Sequence, residues 1–92
     1  KETVYTIDCH RLQEYILKIY GHDYDIIGYE GWGNDSYQRI EVNGEIEDWR
    51  AEDVDAFRFK GDMQERLLRS LMNDMAAREL IEKGAWFIHV YW

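Results

Sequence analysis

Residues 62–81 read DMQERLLRSLMNDMAARELI, and this stretch decides the fold. Met63, Leu67, Leu68, Leu71, Met72, Met75, Ala76, Leu80 and Ile81 recur at three- and four-residue spacing, which lines them up along one stripe of an α-helix. Asp62 and Glu65 make a capping-box-like start, and Gly84 supplies the stop. At about 1.5 Å per residue the predicted helix is roughly 30 Å long, the width of a small domain. An apolar stripe of that length has to be covered, and the flanking sequence offers a sheet to cover it.

On its C-terminal side, Trp86 to Trp92 reads as a strand that is apolar or aromatic on both faces. At the other end of the chain, Thr3 to Ile7 mixes β-branched and aromatic residues and predicts a strand. Asp8 then caps a helix that runs to about Tyr20 and stops at Gly21. Leu12, Tyr15, Ile16, Ile19 and Tyr20 give that helix a single apolar stripe. Tyr24 to Tyr29 predicts a second strand, the turn residues of 31–36 follow, and Tyr37 to Val42 predicts a third. Asn43-Gly44 is a tight-turn signal. Beyond it, Glu45 to Trp49 reads either as a short returning strand or as a loop leading into a helix over Trp49 to Phe57. A two-residue turn would set Ile40 and Val42 opposite Glu47 and Glu45, which disfavours the strand. The expectation is one α+β domain over residues 1–92, a two-layer antiparallel sheet with helices on one face. A split-βαβ, ferredoxin-like plan with an elaborated connection is one arrangement that fits this order.

Ninety-two residues suffice for one modest core, and an aromatic content of 15%, including four Trp and seven Tyr, fills it with few side chains. No apolar run approaches the roughly 20 residues of a membrane span, and no secretion-signal pattern opens the sequence. Cys9 is the only cysteine, so the chain holds itself together by packing, as in a reducing compartment; the expected location is the cytoplasm.

Enzyme signatures fail on spacing. Gly28, Gly31 and Gly33 form neither a Walker nor a dinucleotide loop. His10, His22 and His89 fall on different elements, and Phe57 occupies a ligand position of the calcium-loop pattern that begins at Asp53 and Asp55. No metal, cofactor or catalytic residue is therefore assigned. Cys9 sits in the first turn of a helix, where the dipole favours a thiolate, yet a small Cys on an inner helix face is more often core. Phe87, His89 and Tyr91 alternate along one strand face and could line a ligand pocket, although a hydrogen-bonded structural His is the commoner outcome.

The net charge of −8 is not spread evenly. Between residues 23 and 55 lie Asp23, Asp25, Glu30, Asp35, Glu41, Glu45, Glu47, Asp48, Glu52, Asp53 and Asp55, against only Arg39 and Arg50. A solvated face is the ordinary explanation of a charge run. Carboxylates this dense nevertheless repel one another in the free protein, which suggests a compensating gain in a complex. Trp32, held between two glycines, and Trp49 are aromatics of the kind that anchor interfaces. The expected partner-binding set is Asp25, Glu30, Trp32, Asp35, Glu45, Glu47, Asp48, Trp49, Glu52, Asp53 and Asp55. Direct binding to nucleic acid or an anionic membrane is disfavoured by the same charge.

The stretch Glu45-Ile-Glu-Asp-Trp-Arg-Ala-Glu-Asp-Val-Asp55, with the chain's size and charge, resembles the small phage-encoded inhibitors of bacterial defence, the anti-CRISPR and anti-restriction nucleic-acid mimics. The likeness is compositional and covers the middle third of the chain. It implies a non-enzymatic inhibitor whose carboxylates imitate phosphates in a groove of a basic nucleic-acid-binding protein or ribonucleoprotein complex. Toxin immunity proteins that block basic nucleases look similar. An enzymatic or ligand-binding domain using the Phe87, His89 and Tyr91 face is the alternative from another class, and a homodimer paired through Trp86 to Trp92 is a third.

Overall fold

A computed structural model describes residues 2–21, 33–46 and 63–91, with side chains 63–67 outside the description. The element order is β1 (Val4–Asp8), α1 (Cys9–Tyr20), β2 (Ser36–Val42), α2 (Met63–Ala77) and β3 (Gly84–Val90). The α+β class expected from the sequence is what forms. The three strands make one sheet in the order β1-β3-β2, in which β2 pairs antiparallel with β3 and β1 joins β3 in parallel. The sheet is thus mixed rather than wholly antiparallel, because the last strand, in the middle, runs in the same direction as β1 and opposite to β2. The predicted strand at Tyr24 to Tyr29 and the alternatives for Trp49 to Phe57 lie outside the described residues. Glu45 and Ile46 are described and are not in a strand; the rest of the Glu45 to Trp49 segment is not described.

Local chemistry explains the element ends. Asp8, in extended conformation, accepts a hydrogen bond from the Arg11 backbone N–H at 2.8 Å and so caps α1. At the other end Gly21 adopts φ 67° and donates its N–H to the Leu17 carbonyl at 2.8 Å, a left-handed cap that glycine makes without strain. Helix α2 is shorter than its apolar periodicity predicts. Glu79, at φ 61°, donates to the Ala76 carbonyl and Leu80 to that of Met75, the two bonds of a Schellman motif. Leu80 and Ile81 continue the spacing without continuing the helix: Ile81 packs against the core from the turn, and Leu80 lines a pocket together with Met75.

The core lies between one face of the sheet and both helices. Cys9, Leu12 and Ile16 come from α1, Leu68, Leu71, Met72, Met75 and Ala76 from α2, and Ile40, Val42, Ile88 and Val90 from the sheet. Tyr20 ties the helices at one end. Its hydroxyl donates to Asp74 Oδ2 at 2.5 Å, and Arg78 reaches the same oxygen at 3.1 Å while its guanidinium lies 5.4 Å from the Tyr20 ring centre. Cys9 is fully buried, so the core role weighed for it is the one it occupies.

Gly84 is a close-packing point between β1 and β3. At φ 153°, a Cβ there would stand 2.7 Å from the Thr3 carbonyl oxygen, the atom that accepts the Ala85 N–H at 2.9 Å. Gly84→Ala is expected to destabilise the fold by about 1–3 kcal/mol, because backbone rather than a flexible side chain must move. Urea unfolding of the two proteins measures it, and a change under about 0.5 kcal/mol would show that β1 shifts freely.

Candidate functional site

Alternation along the paired strands separates two faces. Tyr5, Ile7, Gln38, Ile40, Val42, Trp86, Ile88 and Val90 share the helix side, and the residues between them form the outer face. The register sets that face out in rows. Thr6, Phe87 and Arg39 lie side by side across the strands, as do Asp8, His89 and Tyr37. Non-polar and titratable groups therefore meet on a surface that carries no packed helix among the described elements.

The first row holds a guanidinium. Arg39 Cζ lies 5.4 Å from the centre of the Phe87 ring. Its Nε donates to Glu41 Oε1 at 2.5 Å and its Nη2 to Glu2. Those two carboxylates raise the Arg39 pKa above its already high ordinary value, the Glu41 hydrogen bond most. Arg39 is the only lysine or arginine on the three strands, and it is committed to acids on its own protein.

The second row is a chain of rings. Tyr37 stacks on His89 with centroids 4.7 Å apart and planes 15° from parallel. His89 stands 5.1 Å from Tyr91, and Tyr91 meets His10 edge-on at 4.5 Å. Asp35 Oδ1 lies 2.6 Å from His89 Nε2, so Nε2 must carry the proton that bridges them. Asp35 reaches this position from a left-handed turn residue at φ 59°, a conformation that Asp tolerates better than most side chains. His10 Nε2 is likewise 3.1 Å from the Tyr91 carbonyl oxygen and donates to it. Partial burial, followed by the charge of Asp8, raises the Tyr91 hydroxyl above its ordinary pKa.

Of the residues expected to bind a partner, Asp35 and Glu45 are described and both are exposed. They stand just beyond the two ends of β2, Asp35 against His89 and Glu45 with its N–H held by Asn43 Oδ1 at 2.8 Å. Asp25, Glu30, Trp32, Glu47, Asp48, Trp49, Glu52, Asp53 and Asp55 lie outside the described residues. The sequence reading kept Asp35 and the Phe87, His89 and Tyr91 face in separate hypotheses, and the fold joins them. It also adds Tyr37, Arg39 and His10. The alternation of Ser36 to Val42 already put Tyr37, Arg39 and Glu41 on one face; the pairing that brings them beside β3 carries no sequence signal.

Chemically, the outer face offers stacking surfaces edged by carboxylates. The Asp35–His89 pair could move a proton. Among the described residues no three His, Cys, Asp or Glu side chains gather as a metal site, and no helix is long and apolar enough to cross a membrane. A pocket of about 250 Å³ opens on the helix side, lined among the described residues by Leu12, Met72, Met75, Trp86 and other apolar groups together with Glu82. No family model matches the chain, and the searches of curated proteins and of solved structures likewise give no match.

Proposed function

We propose that this protein is a non-enzymatic inhibitor or interaction protein whose acidic middle occupies the nucleic-acid site of a basic partner. The observation that carries the reading is the concentration of eleven carboxylates between Asp23 and Asp55 against two arginines. Each carboxylate spaced along such a surface can take the place of a backbone phosphate before lysines and arginines that evolved to hold DNA or RNA. Trp32 and Trp49 serve as anchors, and Glu30, Glu47, Asp48, Glu52, Asp53 and Asp55 as phosphate surrogates. The described part of the surface is compatible with this role. Asp35 and Glu45 are exposed, and Arg39, the one lysine or arginine on the described strands, is neutralised by Glu2 and Glu41. The anti-CRISPR-like mimic and the toxin immunity protein are two forms of this one mechanism, differing in whether the target is a defence complex or a nuclease.

The second reading is favoured by one contact, the 2.6 Å approach of Asp35 to His89, which would orient an imidazole for ligand binding or proton transfer. The two readings separate in a capture experiment. The tagged protein is incubated with bacterial lysate, washed at low salt and eluted at high salt, and the eluate is identified by mass spectrometry. A nucleic-acid-binding protein released only by salt is the expected result. Recovery of no such protein, together with loss of any small-molecule binding in His89→Ala, would transfer the function to the histidine.

A further inference from the structure

The outer face of the sheet shows how it accommodates a guanidinium. Arg39 rests over the Phe87 ring, with carboxylates of Glu2 and Glu41 meeting its nitrogens. An aromatic floor with acids at its rim is thus a working shell for one guanidinium on this surface. The neighbouring row repeats the same parts. Tyr37 is the floor, with one side backed by the stacked His89, and Asp35, bonded to that His89, is the acid beside the stack. Tyr37 is 58% exposed and the Asp35 side chain 80%, so both can be reached from outside. The strands contribute no lysine or arginine to this row, since their only one, Arg39, belongs to the other.

From this repetition we infer that the Tyr37 and His89 stack, with Asp35, is a seat for an arginine side chain of the partner. The inference rests on the proposed function for its assumption of a basic partner and adds the chemistry of one contact. One ring face of Tyr37 is covered by His89 and the other extends the stack outward. A planar guanidinium laid on that face continues the stack while its N–H groups turn to Asp35. Lysine fits less well, because a compact ammonium neither stacks nor presents paired donors. A nucleobase could stack on the same ring, but its phosphates would face Asp35 and a chain of net charge −8.

The test compares octa-arginine with octa-lysine, peptides of equal charge, by isothermal titration at fixed ionic strength. General attraction to an acidic protein is common to both, so the ratio of their affinities reports the stacking seat. The wild-type protein is expected to favour octa-arginine by about three- to fivefold. Tyr37→Leu is expected to bring the ratio to one, and Asp35→Asn to lower it, with circular dichroism checking the fold. Asp35→Asn keeps a residue tolerant of the left-handed turn, so it reads out the seat even if the Tyr37 variant is unstable. Equal affinities in the wild type, an arginine preference that survives both substitutions, or tighter binding of an octathymidylate would each overturn the inference. The proposed function fails separately. If Glu47→Lys, Asp48→Lys and Asp53→Lys together abolish partner capture while Tyr37→Leu leaves the peptide ratio unchanged, the acidic reading stands and the arginine seat falls. The reverse pattern removes the acidic reading and keeps the seat.

Discussion

Asn73→Ala is expected to lower the unfolding free energy by about 2–4 kcal/mol. Asn73 is one of two buried polar residues in the described structure, 5% exposed on the inner side of α2. Its Oδ1 accepts the backbone N–H groups of Asn43 and Gly44, at 2.8 and 2.9 Å. Its Nδ2 donates to the Arg69 carbonyl at 2.9 Å and, more weakly, to that of Glu41 at 3.4 Å. One side chain thus holds the chain where it leaves β2 and satisfies backbone donors that no strand partner reaches. Truncation removes those bonds, leaves two part-buried N–H groups without their acceptor and opens a small void. A typical stability of roughly 5–15 kcal/mol makes that a large fraction of the whole. The melting temperature should fall by about 8–32 °C, at some 4–8 °C per kcal/mol for a domain of this size. Thermal and urea unfolding by circular dichroism measure both quantities. A loss below about 0.5 kcal/mol would mean that water replaces the amide at no cost.

Reversing Glu47, Asp48 and Asp53 together to lysine is expected to weaken partner binding by at least about 100-fold, or ~2.7 kcal/mol. Each substitution removes an attraction and places a like charge against the partner's basic groove, so the three act in the same direction. All three are charged side chains in the acidic run, a residue type that is seldom part of a hydrophobic core. The melting temperature is therefore expected to hold within a few degrees, or to rise, because reversal also relieves repulsion within the acidic run. Binding measured at several salt concentrations supplies a second signature: the wild type should weaken steeply as salt increases, and the triple variant should show almost no salt dependence. Affinity retained by the variant would remove the phosphate-surrogate role of these carboxylates.

Local signals in the sequence were legible where one short-range interaction decides the outcome. Asp8 announces the start of α1 and Gly21 its end, and both act through bonds spanning three or four residues. The alternation of Ser36 to Val42 gives β2 and its two faces. The end of α2 was not legible, because Glu79 takes a left-handed conformation for which its side chain carries no signal, and Leu80 and Ile81 preserve the helical spacing beyond it. The parallel union of β1 with β3 was hidden as well. It joins residues about eighty positions apart, and no local pattern encodes which strand enters the middle of a sheet. The same holds for the site. Asp35 and His89 are separated by 54 positions, and Asn73 stands in an apolar-periodic helix as an unexplained polar residue until β2 arrives beside it.

The most direct test of the phosphate-mimic mechanism is competition on a captured partner. The partner is loaded with a fluorescently labelled nucleic acid it binds, and this protein is titrated in while anisotropy follows the label. Release of the nucleic acid, complete at a fixed molar ratio and lost in the Glu47, Asp48 and Asp53 lysine variant, is the predicted result. A ternary complex in which the nucleic acid stays bound would contradict occupation of the nucleic-acid site.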